Sequence, residues 1–316
     1  MCVLPAISLF AQSTLAVVEK KAGKVGFYTV EGKRTGEVQT GAFPHETVFS
    51  PDRRFLYVTD NGMLWMTDKG EGGNTITIID VAARKKAGAI DLGSNRRPHG
   101  MAVLPTGELL VTIENPYGLL RVDPVARKVV RKYDVGGESP HMVMLGPGGT
   151  TAWVSVSGSG LVSIVDLASG AISTRLPTGG NTQGCVMTRD GKRVYVTNSQ
   201  SNNISIVNTQ SRKVEREIAT GAGPNRIFLS PDEKTLLYSF QAGASMGFAD
   251  VATAKETARI ALPGPPLSLN LSRDAQTAFL GIQDSDKIVV ISVPQRKIMR
   301  VFDTPPNSGP DSIEPL

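Results

Sequence analysis

Residues 182–219 read TQGCVMTRDGKRVYVTNSQSNNISIVNTQSRKVEREIA. Four short runs stand in this stretch. Residues 183–188 form the first and end in the turn Arg189-Asp190-Gly191; residues 193–197 form the second, 203–208 the third and 213–219 the fourth. In the third, apolar and polar side chains alternate with period two, which is the pattern of a strand with two unlike faces. The runs are too short for stable helices, and the Gly, Asn, Asp and Ser between them supply turn conformations. The stretch therefore predicts a four-stranded antiparallel meander.

The unit repeats. The residues that end each first run are Leu104, Gly146, Thr188, Ser230 and Ser272, a constant step of 42, with Ser50 standing 54 before Leu104. A period near 42 with four strands per unit predicts a β-propeller. Six units are complete. Ahead of them, residues 14–20, 25–30 and 35–39 match the second, third and fourth strands of a unit that has no first strand. Residues 310–316 match a first strand with nothing after it. Joined, the two pieces make a seventh unit. The reading is an all-β, seven-bladed β-propeller of four-stranded blades, its ring closed by the N-terminal strands pairing with a C-terminal strand. Such closure leaves no open edge between blades and predicts a monomer.

The first full unit is longer than the others. Tyr57 to Asp80 spans 23 positions, whereas Tyr195 to Asn208 spans 13, so ten residues are inserted between its second and third strands, around 61–73. Two more lie near 94–97.

Tyr195-Val196-Thr197-Asn198 is the tetrapeptide that names the YVTN-repeat family of bacterial seven-bladed propellers, and Tyr57-Val58-Thr59-Asp60 is a near copy. Ser50-Pro51-Asp52 and Ser230-Pro231-Asp232 resemble the family's Ser-Pro-Asp-Gly turn. The resemblance covers the chain from about Thr14 onward. It implies the fold; the function stays open, because such propellers include surface-layer proteins, lactonase-like enzymes and domains of cofactor enzymes.

Composition fits one repeat domain over residues 13–316. Of 316 residues, 33 are Gly and 20 are Pro, and 20% are charged, as in turn-rich globular chains. The net charge of +5 comes from basic residues spread along the chain, so no nucleic-acid partner is expected. Cys2 and Cys185 form no CxxC motif and no disulfide framework. Residues 1–12 (MCVLPAISLFAQ) resemble the apolar region and cleavage site of a secretory signal, which predicts a periplasmic or extracellular location. No run approaches the roughly 20 apolar residues of a transmembrane helix.

Each first run opens with Pro-X or its equivalent: Pro44-His45, Pro98-His99, Pro140-His141, Thr182-Gln183, Pro224-Asn225, Pro266-Leu267 and Pro310-Asp311. First strands line a propeller's channel, so the X residues should encircle one mouth in the order Asp311, His45, His99, His141, Gln183, Asn225, Leu267. All three histidines of the chain fall on this ring, in consecutive blades. Neutral imidazoles bind divalent transition metals. His45, His99 and His141 are thus candidate ligands, with Gln183 or Asp311 as a fourth ligand or outer partner. A three-His-plus-Gln site on a seven-bladed propeller is similar to that of oligogalacturonate lyases. The other reading gives the imidazoles a structural role or a direct ligand contact.

Further candidates share this face. Glu114, near His99, is either a general base or ligand, or a solvated loop carboxylate. Trp65, in the insert, is either a stacking platform or cover for the rim. Arg96, Arg97, Arg226 and Asn225 could hold an anionic ligand. No serine nucleophile elbow, phosphate loop or dinucleotide motif is present. Two functions follow: an exported binding or scaffold propeller with a small-molecule or protein ligand at the channel mouth, or a metal-dependent lyase, lactonase or oxidase acting on a small anion.

Overall fold

The computed structural model describes residues 14–316; the stretch read as a signal remnant, residues 1–12, lies outside them. The described residues form seven four-stranded antiparallel sheets. Blade 1 is composite. Pro310–Pro315 is its inner strand, followed by Thr14–Glu19, Lys24–Thr29 and Arg34–Gln39. Leu15 pairs with Pro315 and Val17 with Ile313, which closes the ring. The inner strands of blades 2 to 6 are Pro44–Phe49, Arg96–Val103, Pro140–Leu145, Thr182–Met187 and Pro224–Leu229.

Blade 7 departs from the repeat: its inner strand is only Asn270–Leu271. Gly264-Pro265-Pro266 precedes it, so a second proline stands in the turn ahead of the Pro-X position, where it too lacks an N–H donor. The Leu267 N–H still bonds the Gly281 carbonyl at 3.1 Å.

Period two explains how the blades pack. Along the second strand of blade 3, Leu109, Val111 and Ile113 enter the apolar cluster shared with blade 2, while Leu110 enters the cluster shared with blade 4. Among the described residues each of the seven blade junctions holds one such cluster. Full burial of each large apolar side chain contributes about 1.5–3 kcal/mol. Fourth strands, at the rim, alternate with solvent instead, as Lys213–Ala219 does.

The threonine of the Tyr-Val-Thr motif ties the mouth together. Thr59 Oγ1 accepts the Glu46 N–H at 3.0 Å and donates to the His99 carbonyl of the next blade at 3.1 Å. Thr112 does the same between the Gly100 N–H, 2.8 Å, and the His141 carbonyl, 2.7 Å. Thr197 joins the Gly184 N–H to the Asn225 carbonyl. The motif thus fixes the backbone at the Pro-X position of its neighbour.

Candidate functional site at the channel mouth

The structure brings the three imidazoles together. His45, His99 and His141 are 8%, 2% and 4% exposed. Ring centroids lie 4.3 Å apart for His45–His99 and again for His99–His141. His45 Nε2 faces His99 Nε2 at 2.9 Å. Behind each of these two rings stands a carboxylate: Asp311 Oδ2 is 2.6 Å from His45 Nδ1, and Glu114 Oε1 is 2.6 Å from His99 Nδ1. Carboxylates so placed orient imidazoles and raise their basicity. His141 Nδ1 and Asp311 Oδ1 are buried without a hydrogen-bond partner.

The charges follow from this packing. Burial, then the neighbouring His141 and His45, pushes His99 well below the ordinary imidazole range. Burial followed by Arg226 does the same to His141. Both rings are therefore neutral and keep a lone pair to offer. Burial alone would raise Asp311, but His45 and Lys20 outweigh it and hold this carboxyl well below the usual range. Burial pushes Glu114 up to about 7, against the pull of Arg97 and Lys20. Protonated, Glu114 donates to His99 Nδ1, and Glu114, His99, His45 and Asp311 form a continuous run of hydrogen bonds; ionised, it accepts the Nδ1 proton and leaves the His99 Nε2 lone pair free for an ion.

Two members of the site escape a search for Pro-X positions. Glu46 follows His45, and donor atoms of His45, Glu46 and His99 all lie within 4.8 Å of one another, close enough to hold a metal ion. Glu46 is ion-paired across the channel with Arg226. Lys20 Nζ is 3.1 Å from His45 Nδ1 and 3.2 Å from Asp311 Oδ2. Strand register explains why Lys20 sits here. Pro310 pairs with Glu19, Pro98 with Ile113, Pro44 with Asp60, Pro140 with Val156, Thr182 with Asn198 and Pro224 with Phe240. The residue one step further on is therefore equivalent in blades 1 to 6: Lys20, Asn61, Glu114, Ser157, Ser199 and Gln241. In blade 3 the fourth YVTN position is Ile113, and Glu114 belongs to this second ring. It is buried, not a solvated loop carboxylate.

The remaining candidates divide. Gln183 turns its amide to Asn181 Oδ1, 2.8 Å, and Ser157 Oγ, 3.5 Å. Asn225 Nδ2 donates to Gln241 Oε1 at 3.2 Å, and Asn225 Oδ1 is buried without a partner. Arg96 and Arg97 hold the insert: Arg96 reaches the Gly72 carbonyl and Glu71, while Arg97 reaches the Met66 and Asp68 carbonyls and lies 3.7 Å from Glu114. Their forks are thus engaged by the loop. Leu64, Trp65, Met66 and Thr67 of that loop wall one side of a cavity of about 430 Å³ over the imidazoles, with Lys20, Asn225 and Arg226 also in its lining. Trp65 is 37% exposed.

The donor set fits a divalent transition metal. Two imidazole nitrogens on one tetrahedral ion stand about 3.3 Å apart, given bonds of ~2.0–2.1 Å, so the His45 and His99 rings need to part by a few tenths of an ångström.

Among solved structures the chain is similar to the Kuenenia stuttgartiensis hydrazine synthase (TM-score 0.75, 20% identity, covering 87% of this chain and 90% of that one). It is also similar to the periplasmic gluconolactonase PpgL of Pseudomonas aeruginosa (TM-score 0.77, 16% identity, 96% and 98%) and to the dihydro-heme d1 dehydrogenase NirN (TM-score 0.70, 16% identity, 100% and 78%). At these identities the likeness is one of fold. No curated protein sequence matches the chain. The model of the YNCE-like β-propellers matches residues 33–309, and the chain belongs to that family.

Proposed function

We propose that this protein is an exported binding propeller whose ligand site is a divalent transition-metal centre at the channel mouth. His45, His99 and His141 hold the ion, and Glu46 supplies an oxygen. Asp311 and Glu114 orient the first two rings from behind. One observation carries the reading: two buried imidazoles, each held through Nδ1 by its own carboxylate, bring their Nε2 atoms within 2.9 Å of each other, where one ion could take both. A bound ion would act as a Lewis acid toward a carbonyl or carboxylate oxygen. The cavity above, with Lys20 and Arg226 in its lining, suits a small anion. The apolar run 1–12 supports export, which fractionation of cells expressing the full chain would check.

A second reading, a metal-dependent lactonase, lyase or oxidase at the same centre, draws support from the open cavity beside the imidazoles. Metal analysis after loading and dialysis tests the primary reading. One equivalent per chain, lost in His99→Ala, is expected; no stoichiometric metal under any loading condition would overturn it. Turnover of lactones by the loaded protein would then favour the enzyme.

A further inference from the structure

The mouth cavity is continuous with a second, larger one. A trough of about 860 Å³ runs over blades 4 to 6 on the same face, and Ser157, Gly158, Asn181 and Gln241 line both. Its volume lies within the ~300–1,000 Å³ of ordinary ligand pockets. The repeat explains its shape. The loops between second and third strands are short here: Ser157-Gly158-Ser159-Gly160, Ser199-Gln200-Ser201-Asn202 and Gln241-Ala242-Gly243-Ala244. The loop at the same position in blade 2 is the long insert that rises over the imidazoles.

The chemistry of the trough is distinctive. None of its lining residues is charged, and its only apolar side chains are the methyls of Ala222 and Ala242. Hydroxyls and carboxamides supply the rest, groups that both donate and accept; Ser157, Asn181 and Asn202 already hold partners within the fold. Where the two cavities meet, Asn225 is 5% exposed, its Nδ2 bonds Gln241, and its Oδ1 is left without a partner. No apolar recess takes a hydrocarbon side chain, and no ion takes a charged one.

We infer that the trough is a subsite for a polyhydroxylated chain, a saccharide or a sugar acid, whose hydroxyls run across blades 4 to 6 toward the imidazoles. The placement of an acid end at the metal rests on the proposed function; the hydroxyl shelf itself does not. Trp65, across the mouth, offers a ring face on which a sugar ring can stack.

Calorimetric titration tests this with gluconate and hexanoate, which share a six-carbon carboxylate and differ in their hydroxyls. Metal-loaded protein should bind gluconate at least tenfold tighter than hexanoate. Ala242→Phe, at an exposed position that lines the trough and not the mouth, should abolish the difference and leave hexanoate unchanged. Gln200→Ala, also exposed, should narrow it several-fold. Equal binding of the two acids, or a preference that survives Ala242→Phe, overturns the inference. Metal-stripped protein separates the two proposals. There maltotriose, a neutral saccharide, should bind the wild type and not Ala242→Phe, whether or not the histidines hold an ion. Failure of maltotriose to bind the metal-stripped wild type also overturns the subsite.

Discussion

The two arcs of the channel mouth share a backbone and differ in almost everything else. On blades 1 to 4 the Pro-X ring reads Asp311, His45, His99, His141, and the second ring adds Lys20 and Glu114. On blades 5 to 7 both rings are uncharged, Gln183, Asn225 and Leu267 in the first and Ser199 and Gln241 in the second, and the one charge at the mouth there, Arg226, is paired across the channel with Glu46. The threonine staple recurs on both arcs, at Thr59 and Thr112 on one and Thr197 on the other. The repeat therefore fixes where a side chain stands, and substitution within the repeat decides what it does. Loop length follows the same division: the long insert covers the imidazoles, and short loops leave a polar trough open beside them.

The arcs should differ most in what they lose on truncation. Asp311→Ala strands the buried Lys20 without its carboxylate and should cost about 3–5 kcal/mol in denaturant unfolding. Leu267→Ala, at the half-buried equivalent in blade 7, should cost about 1 kcal/mol. Equal costs would break the comparison.

Protons sharpen it within the charged arc. Burial pushes Glu314, below Asp311 on the same strand, up to about 7 from an ordinary 4.5, against Thr47 and Arg53, which pull it down. A raised folded-state value stabilises the fold fully below about pH 4.5 and is lost as pH rises through about 7. Glu314→Gln should remove about 3 kcal/mol of that pH-dependent stability, read from unfolding midpoints at several pH values. Asn225→Ala, on the neutral arc, should cost about 1 kcal/mol for its bond to Gln241 with no change in slope across this window.

The insert should matter least to stability. Gly62 and Gly73 lie back to back at its base, with the Gly73 N–H bonded to the Asn61 carbonyl at 2.8 Å. It is thus a closed loop of the Ω kind. Excising residues 63–72 should shift unfolding by less than about 1 kcal/mol while exposing the imidazoles to solvent, read as faster modification by diethyl pyrocarbonate.

The ring, its closure and the order of the X residues were legible because strand period and repeat spacing are local properties of the chain. Glu114 could be placed near His99 from the sequence, but not its burial. Lys20 and Glu46 were not legible. Lys20 reaches the site only through the pairing of Thr14–Glu19 with Pro310–Pro315, residues at opposite ends of the chain. Glu46 does so beside Arg226, 180 positions away. Arg96 and Arg97 read as anion-binding forks until the loop carbonyls that occupy them were in place. Register across blades carries this information, and the slot after the second strand is where a second search along the repeats finds Lys20 and Glu114.

If the proposed centre is right, the charged arc holds a metal and the neutral arc does not. Titrating the metal-free protein with cobalt(II) and following its visible absorption tests it most directly. A sharp end point at one equivalent is expected in the wild type and in Asn225→Ala, and none in His45→Ala or His99→Ala. A wild type that gives no end point, or a His99→Ala variant that keeps it, would contradict the account.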